Sequence, residues 1–248
     1  IIGNGGTGSS GASNYGVLCV SDQTKITSGS GHVSVTGVEG TGPSGTGIVH
    51  ANLAAITTAT NGGNITLIAN SMDLTSTVST NSTGSTTLRP YTNGVQINLG
   101  SATNPIGGPL GLSDTELDLV TTGTLNIGNT NSGTITVSAA ITRAAATNME
   151  LHSVGDVTFS TGSINIGGGD LLLDPGTTPA AVKPTFNGTD ATASTVSFAS
   201  DLAIVINGTT PGNGSGSTYT QLTVAGAVNL TGVDLILSGV HTPILSQT

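Results

Sequence analysis

Between Thr115 and Leu173 the chain reads TELDLVTTGTLNIGNTNSGTITVSAAITRAAATNMELHSVGDVTFSTGSINIGGGDLLL. Short beats of apolar, polar, apolar residues recur through it: Leu117-Asp118-Leu119, Leu125-Asn126-Ile127, Ile135-Thr136-Val137, Met149-Glu150-Leu151, Val157-Thr158-Phe159 and Ile164-Asn165-Ile166. Alternation of this kind marks strands with one buried face. The residues between the beats are Gly, Asn, Ser and Thr, which build turns.

The beats also hold a step. Ile97, Leu117, Val137 and Val157 recur at about 20 residues, a period at which stacked repeats are expected. Leu99, Leu119, Ala139 and Phe159 keep the same step, and Leu125/Ile127, Ala144/Ala146 and Ile164/Ile166 suggest a second apolar column. The flanking positions are polar: Gln96, Glu116, Thr136 and Asp156 on one side, Asn98, Asp118, Ser138 and Thr158 on the other. A slip of one residue would turn every apolar side chain to water, so a preserved phase specifies register. The predicted fold is all-β: a parallel β-helix, or β-solenoid, with Leu117, Leu119, Val137, Val157 and Phe159 inside and Glu116, Asp118 and Thr158 outside.

Outward from this block the pattern loosens. Strands are expected at 16–20, 33–36, 47–50, 53–57, 65–69 and 72–74, separated by Gly-rich turns. Pro105, Gly107, Gly108 and Pro109 mark a loop that leaves the repeat path. A Pro/Gly-rich break follows Asp174-Pro175-Gly176, so two regions are expected. Residues 1–176 form repeated strands, and 177–248 continue them with a protruding Gly-rich loop at 207–217.

Composition narrows the function. The 248 residues include 38 Gly and no Trp, with 2% aromatic and 7% charged residues, against about 25% charged in an average domain. The net charge is -9, and Lys25, Arg89, Arg143 and Lys183 are the only Lys and Arg. Nucleic-acid binding needs a basic footprint and is excluded. No apolar run is long enough for a spanning helix, so membrane insertion is not expected.

Several stretches resemble a known class. Thr92-Asn93-Gly94-Val95-Gln96-Ile97-Asn98-Leu99-Gly100, Leu125-Asn126-Ile127-Gly128 with Gly133-Thr134-Ile135-Thr136-Val137, and Gly168-Gly169-Asp170-Leu171-Leu172-Leu173 are similar to the β-strand repeats of large bacterial surface proteins, the filamentous-haemagglutinin-like and autotransporter-passenger proteins. Tyr219-Thr220-Gln221-Leu222-Thr223-Val224 with Gly226-Ala227-Val228-Asn229-Leu230 resembles the last part of such passengers. The resemblance covers most of the chain. It implies secretion, a right-handed β-helix, and a role in adhesion or a surface fibre, and it carries no catalytic residues.

The candidate chemistry is sparse. Asp114, Glu116 and Asp118 alternate; on one strand they would share the solvent face and are candidate Ca²⁺ ligands. Strand side chains two apart lie about 7 Å from each other, which favours a plain acidic edge. Glu116 and Asp156, two repeats apart, could approximate the carboxylate pair of an inverting glycosidase, but no aromatic sugar platform accompanies them. His32, His50, His152 and His241 lack metal-ligand spacing. Cys19 reads as a small core hydrophobe; a reactive thiol would need His32 or Lys25 beside it.

The leading expectation is therefore a non-enzymatic structural segment of a secreted or cell-surface fibrous protein. It carries no cofactor beyond the Ca²⁺ candidates. Its partners are other copies of itself or flanking repeats, which cover ends that show no polar capping repeat. The alternative is an adhesin module binding glycans through its loops, and third is a polysaccharide-degrading enzyme.

Overall fold

The computed structural model describes residues 1–6, 14–41, 45–59, 62–81, 84–176, 180–183, 190–199, 201–206 and 222–240. Among them are 25 strands and a single five-residue helix. Every pairing between described strands is parallel. The chain is thus all-β with parallel sheets, as the alternation implied. No helix among the described residues is long and apolar enough to cross a membrane.

Parallel neighbours need a long crossover. Here the crossover is made of other strands rather than helices. After Val33–Val38 the chain runs through Ile48–Ala51 and Ala55–Thr58, each in a different sheet, before Ile65–Ile68 pairs beside Val33–Val38. The longest sheet then continues through Ser85–Arg89, Thr124–Gly128, Asn148–His152, Leu171–Asp174 and Ala191–Phe198, which also pairs with Val224–Asn229. A second sheet orders Leu110–Leu112, Ile97–Leu99, Ile135–Val137, Val157–Phe159, Ala181–Lys183, Asp201–Val205 and Leu235–Ser238. Two smaller sheets hold Val17–Val20, Ile48–Ala51 and Met72–Leu74, and Lys25–Ser28, Ala55–Thr58, Val78–Ser79 and Val120–Thr121.

Side chains of one phase meet in a single core. Leu88, Ile127, Leu151 and Leu173 stack on adjacent strands, all essentially inaccessible. Leu99, Val137 and Phe159 form a parallel column, as do Ile97, Ile135, Val157 and Val182. Burial of such side chains, at about 1.5–3 kcal/mol each, is the main favourable term. Glycine enters where the backbone turns left-handed under a neighbour. At Gly128, φ is +79°, and a Cβ would come 2.2 Å from the His152 carbonyl oxygen.

Several expectations need correction. Val137 stacks on Leu99 and Phe159, not on Ile97 and Val157, so the two columns are offset from the even step. Ala139, Ala144 and Ala146 are exposed and belong to no apolar column. Ile164 pairs instead with Ile141 and Ala191. Leu117 is buried as expected, but it lies in the helix Asp114–Asp118, and Leu119 is only half-buried. Glu116 is buried rather than solvent-facing, and it shares no column with Asp156. Asp118 is exposed and Thr158 half-buried, close to expectation. Beyond Pro175, strands Ala181–Lys183 and Ala191–Phe198 join the same sheets as the strands before it. The loop at 207–217 lies outside the described residues, as do Tyr219 and His241.

Candidate functional site

Among the described residues the chain leaves the repeat path after Ile97–Leu99, and a cluster of polar contacts gathers there. After Ile97–Leu99 the chain does not step on. It loops through 100–109 and returns as Leu110–Leu112 on the opposite edge of Ile97–Leu99 from Ile135–Val137. The loop crosses the outer face of that returning strand. Asn104 accepts from Gly111 N and donates to the Met72 carbonyl, at 2.9 and 2.8 Å. A Cβ at position 111 would lie 2.3 Å from the Thr103 carbonyl oxygen, so only glycine fits beneath the loop.

The helix Asp114–Asp118 follows, started by a capping box. Ser113 Oγ accepts from Glu116 N, and the Glu116 carboxylate accepts from Ser113 N at 2.9 Å. This reciprocal pair satisfies donors that a helix start leaves open. The second carboxylate oxygen of Glu116 accepts from Leu74 N at 3.2 Å. Glu116 therefore joins the helix to the strand Met72–Leu74.

The helix end is held by Arg143. Its side chain is 7% exposed, and its two terminal nitrogens donate to the carbonyls of Leu117 and Val120. A cation at helix C-terminal carbonyls is the favourable placement. Asp118, 49% exposed, lies 3.7 Å from the guanidinium. Burial pushes the Arg143 guanidinium down from its ordinary range, with Asp118 and Asp114 opposing. Asp114 faces the same neighbouring turn, accepting from Thr142 N at 2.6 Å and Thr142 Oγ1 at 3.0 Å.

The three candidate Ca²⁺ ligands are thus placed on a helix, not a strand, and each has its own protein partner. Among the described residues no group of three or more His, Cys, Asp or Glu side chains is arranged to hold a metal. Beside the helix end runs a cleft of about 690 Å³, lined in part by Asp118, Thr121, Arg143, Ala145, Thr147 and Asn148. It offers carboxylate, hydroxyl, amide and methyl groups, suited to a polar ligand.

Two further groups lie elsewhere. On the outer face of the longest sheet, His152 stands between Asp174 at 2.7 Å and Glu150 at 3.0 Å. Inside the core, His50 is fully buried in register with Cys19. Cys19 is buried as expected, but its histidine neighbour is His50, not His32. Comparison of the chain with protein-family models, with curated proteins and with solved structures gives no match in any of the three. Sequence reasoning missed Arg143 and the capping box. The box was legible as Ser113-Asp114-Thr115-Glu116, whereas the Arg143 contacts join segments that no local signal connects.

Proposed function

We propose that the chain is a right-handed parallel β-helix that serves as a structural segment of a secreted or cell-surface fibre, stacking end to end with further copies of itself. The observation that carries this reading is the exposed apolar end. Val228, Leu235 and Leu237 continue the inward columns of Val196, Leu202 and Ile204, yet Leu235 is 58% and Leu237 59% exposed. Their strands, Val224–Asn229 and Leu235–Ser238, are paired on one side only among the described residues. At the other end, Ile2–Asn4, Val17–Val20 and Lys25–Ser28 likewise end their sheets among the described residues. Free strand edges template further strands. Every pairing between described strands is parallel, so a second copy would present its opposite end, and a head-to-tail contact that does not close extends into a filament.

Sedimentation tests the reading. The protein should form concentration-dependent oligomers, and a paired Leu235→Lys, Leu237→Lys substitution should return it to monomer. A wild-type chain that stays monomeric over the accessible concentration range sinks it.

The cleft beside Asp118 favours a second reading, an adhesin module that binds surface glycans. There a glycan screen should lose its signal in an Asp118→Ala, Asn148→Ala variant while oligomerisation is unchanged.

A further inference from the structure

Between the loop at 100–109, the strand Met72–Leu74 and the helix Asp114–Asp118 lies a second cavity, of about 510 Å³. Its lining includes Asp73, Leu74, Ala102, Ser113, Glu116 and Leu119, and most of the lining surface is apolar. It shares no residue with the cleft beside Arg143. Asp73 stands between the inaccessible Met72 and Leu74, so its side chain alternates outwards and is exposed. Leu119 is half-buried and Ala102 exposed.

Two carboxylates line this cavity, and none of Lys25, Arg89, Arg143 and Lys183 does. Glu116 is 8% exposed. Its Oε2 accepts from Ser113 N and Ser113 Oγ, and its Oε1 accepts from Leu74 N alone, at 3.2 Å. A carboxylate offers about four lone-pair positions, so one on Oε1 remains. Asp73 has no hydrogen-bond or ion-pair partner among the described residues. A charge held out of water without a counter-charge is costly, which favours a cation in the space beside it. Two carboxylates fall short of the oxygen cage that Ca²⁺ needs. No aromatic ring lines the cavity, so the cage that holds a quaternary ammonium is missing. A primary ammonium is a point charge with three donors, and suits oxygen acceptors.

We propose that this cavity binds a small aliphatic primary amine in its ammonium form. The ammonium donates to Glu116 Oε1 and to the Asp73 carboxylate, and the alkyl chain covers Ala102 and Leu119. Apolar contact supplies most of the area, and the two carboxylates supply the selectivity. Binding is non-covalent. The inference rests neither on the stacking reading nor on the glycan reading.

Titration of the full chain with hexylammonium, followed by amide NMR, tests it. Saturable shifts are expected at Leu74, Ala102 and Ser113, with a Kd of about 1 mM or tighter. Hexanol keeps the alkyl chain without the charge, and trimethylhexylammonium keeps the charge without the donors. Each should bind at least about tenfold more weakly. Asp73→Asn, at an exposed position, should weaken hexylammonium binding about threefold and leave the thermal midpoint unchanged. Glu116→Gln keeps the side-chain shape and should weaken binding about tenfold. Equal affinity for hexylammonium and hexanol overturns the proposal. So does the absence of shifts at Leu74 and Ser113, or wild-type affinity in either variant.

Discussion

Residues 124–174 and residues 100–121 carry the same alternation and are built differently. In the first, Thr124–Gly128, Asn148–His152 and Leu171–Asp174 follow one another at nearly even spacing, and every inward residue meets its counterpart. In the second, the beat Leu117-Asp118-Leu119 is drawn into a helix, and the strand Leu110–Leu112 lies back beneath Ile97–Leu99. Alternation reports which side chains avoid water. It does not report which strand they meet. In the even block, register alone supplies the partners. In the excursion, specific polar contacts from Glu116, Asn104 and Arg143 replace it.

That contrast can be broken most directly at Val137. A Val137→Asp variant places an unpaired carboxylate between Leu99 and Phe159. A loss of about 3–5 kcal/mol is expected in denaturant unfolding. A loss below about 1 kcal/mol would remove the case for a register-built core.

Within the excursion the matching test is Arg143→Met. It strips the Leu117 and Val120 carbonyls of their donor and should cost about 2–3 kcal/mol. Hydrogen exchange should rise in 113–121 before it rises in 124–174. Equal changes in both would mean that the two regions are one cooperative unit.

Ser113→Ala sharpens the same point at smaller scale, since it removes one half of the capping box. About 1 kcal/mol is expected, and Thr136→Ala, on the half-buried outer face of the even block, should change stability by less than about 0.5 kcal/mol.

The smallest effect concerns pH and lies outside both regions. Burial lowers the His50 pKa, so the unfolded chain takes up a proton at higher pH than the folded one. His50 therefore contributes stability that is fully present above its unfolded pKa of about 6.5. That stability is lost as pH falls through that value towards the lowered folded one. The thermal midpoint should decline on acidification from about pH 7 to about pH 5, and His50→Leu should flatten the decline. An unchanged slope in that variant would assign the decline to another group.

Much of this was legible one strand at a time. Leu125, Ile127, Ile135, Val157 and Phe159 were placed inside from alternation alone, and all are buried. Glu116 was misplaced because a strand pattern and a short amphipathic helix coincide over five residues. The capping box decided between them. The step of about 20 residues failed because stacked neighbours in the regular block, such as Val137 with Phe159 and Leu125 with Met149, are slightly further apart in the chain, and because the excursion through 100–121 lies between Leu99 and its neighbour Val137.

The amino-acid sequence by itself determined that this chain is all-β and that its inward residues are the apolar members of each beat. Those features follow from side-chain chemistry and a period of two, which neighbouring residues fix between themselves. Only the tertiary structure decided that Leu110–Leu112 turns back beneath its predecessor, that Arg143 closes the helix, and that Cys19, His50 and Met72 share one buried face. Parallel pairing joins residues separated by long crossovers, and register across such a distance is set by the packing of the whole stack rather than by any local pattern.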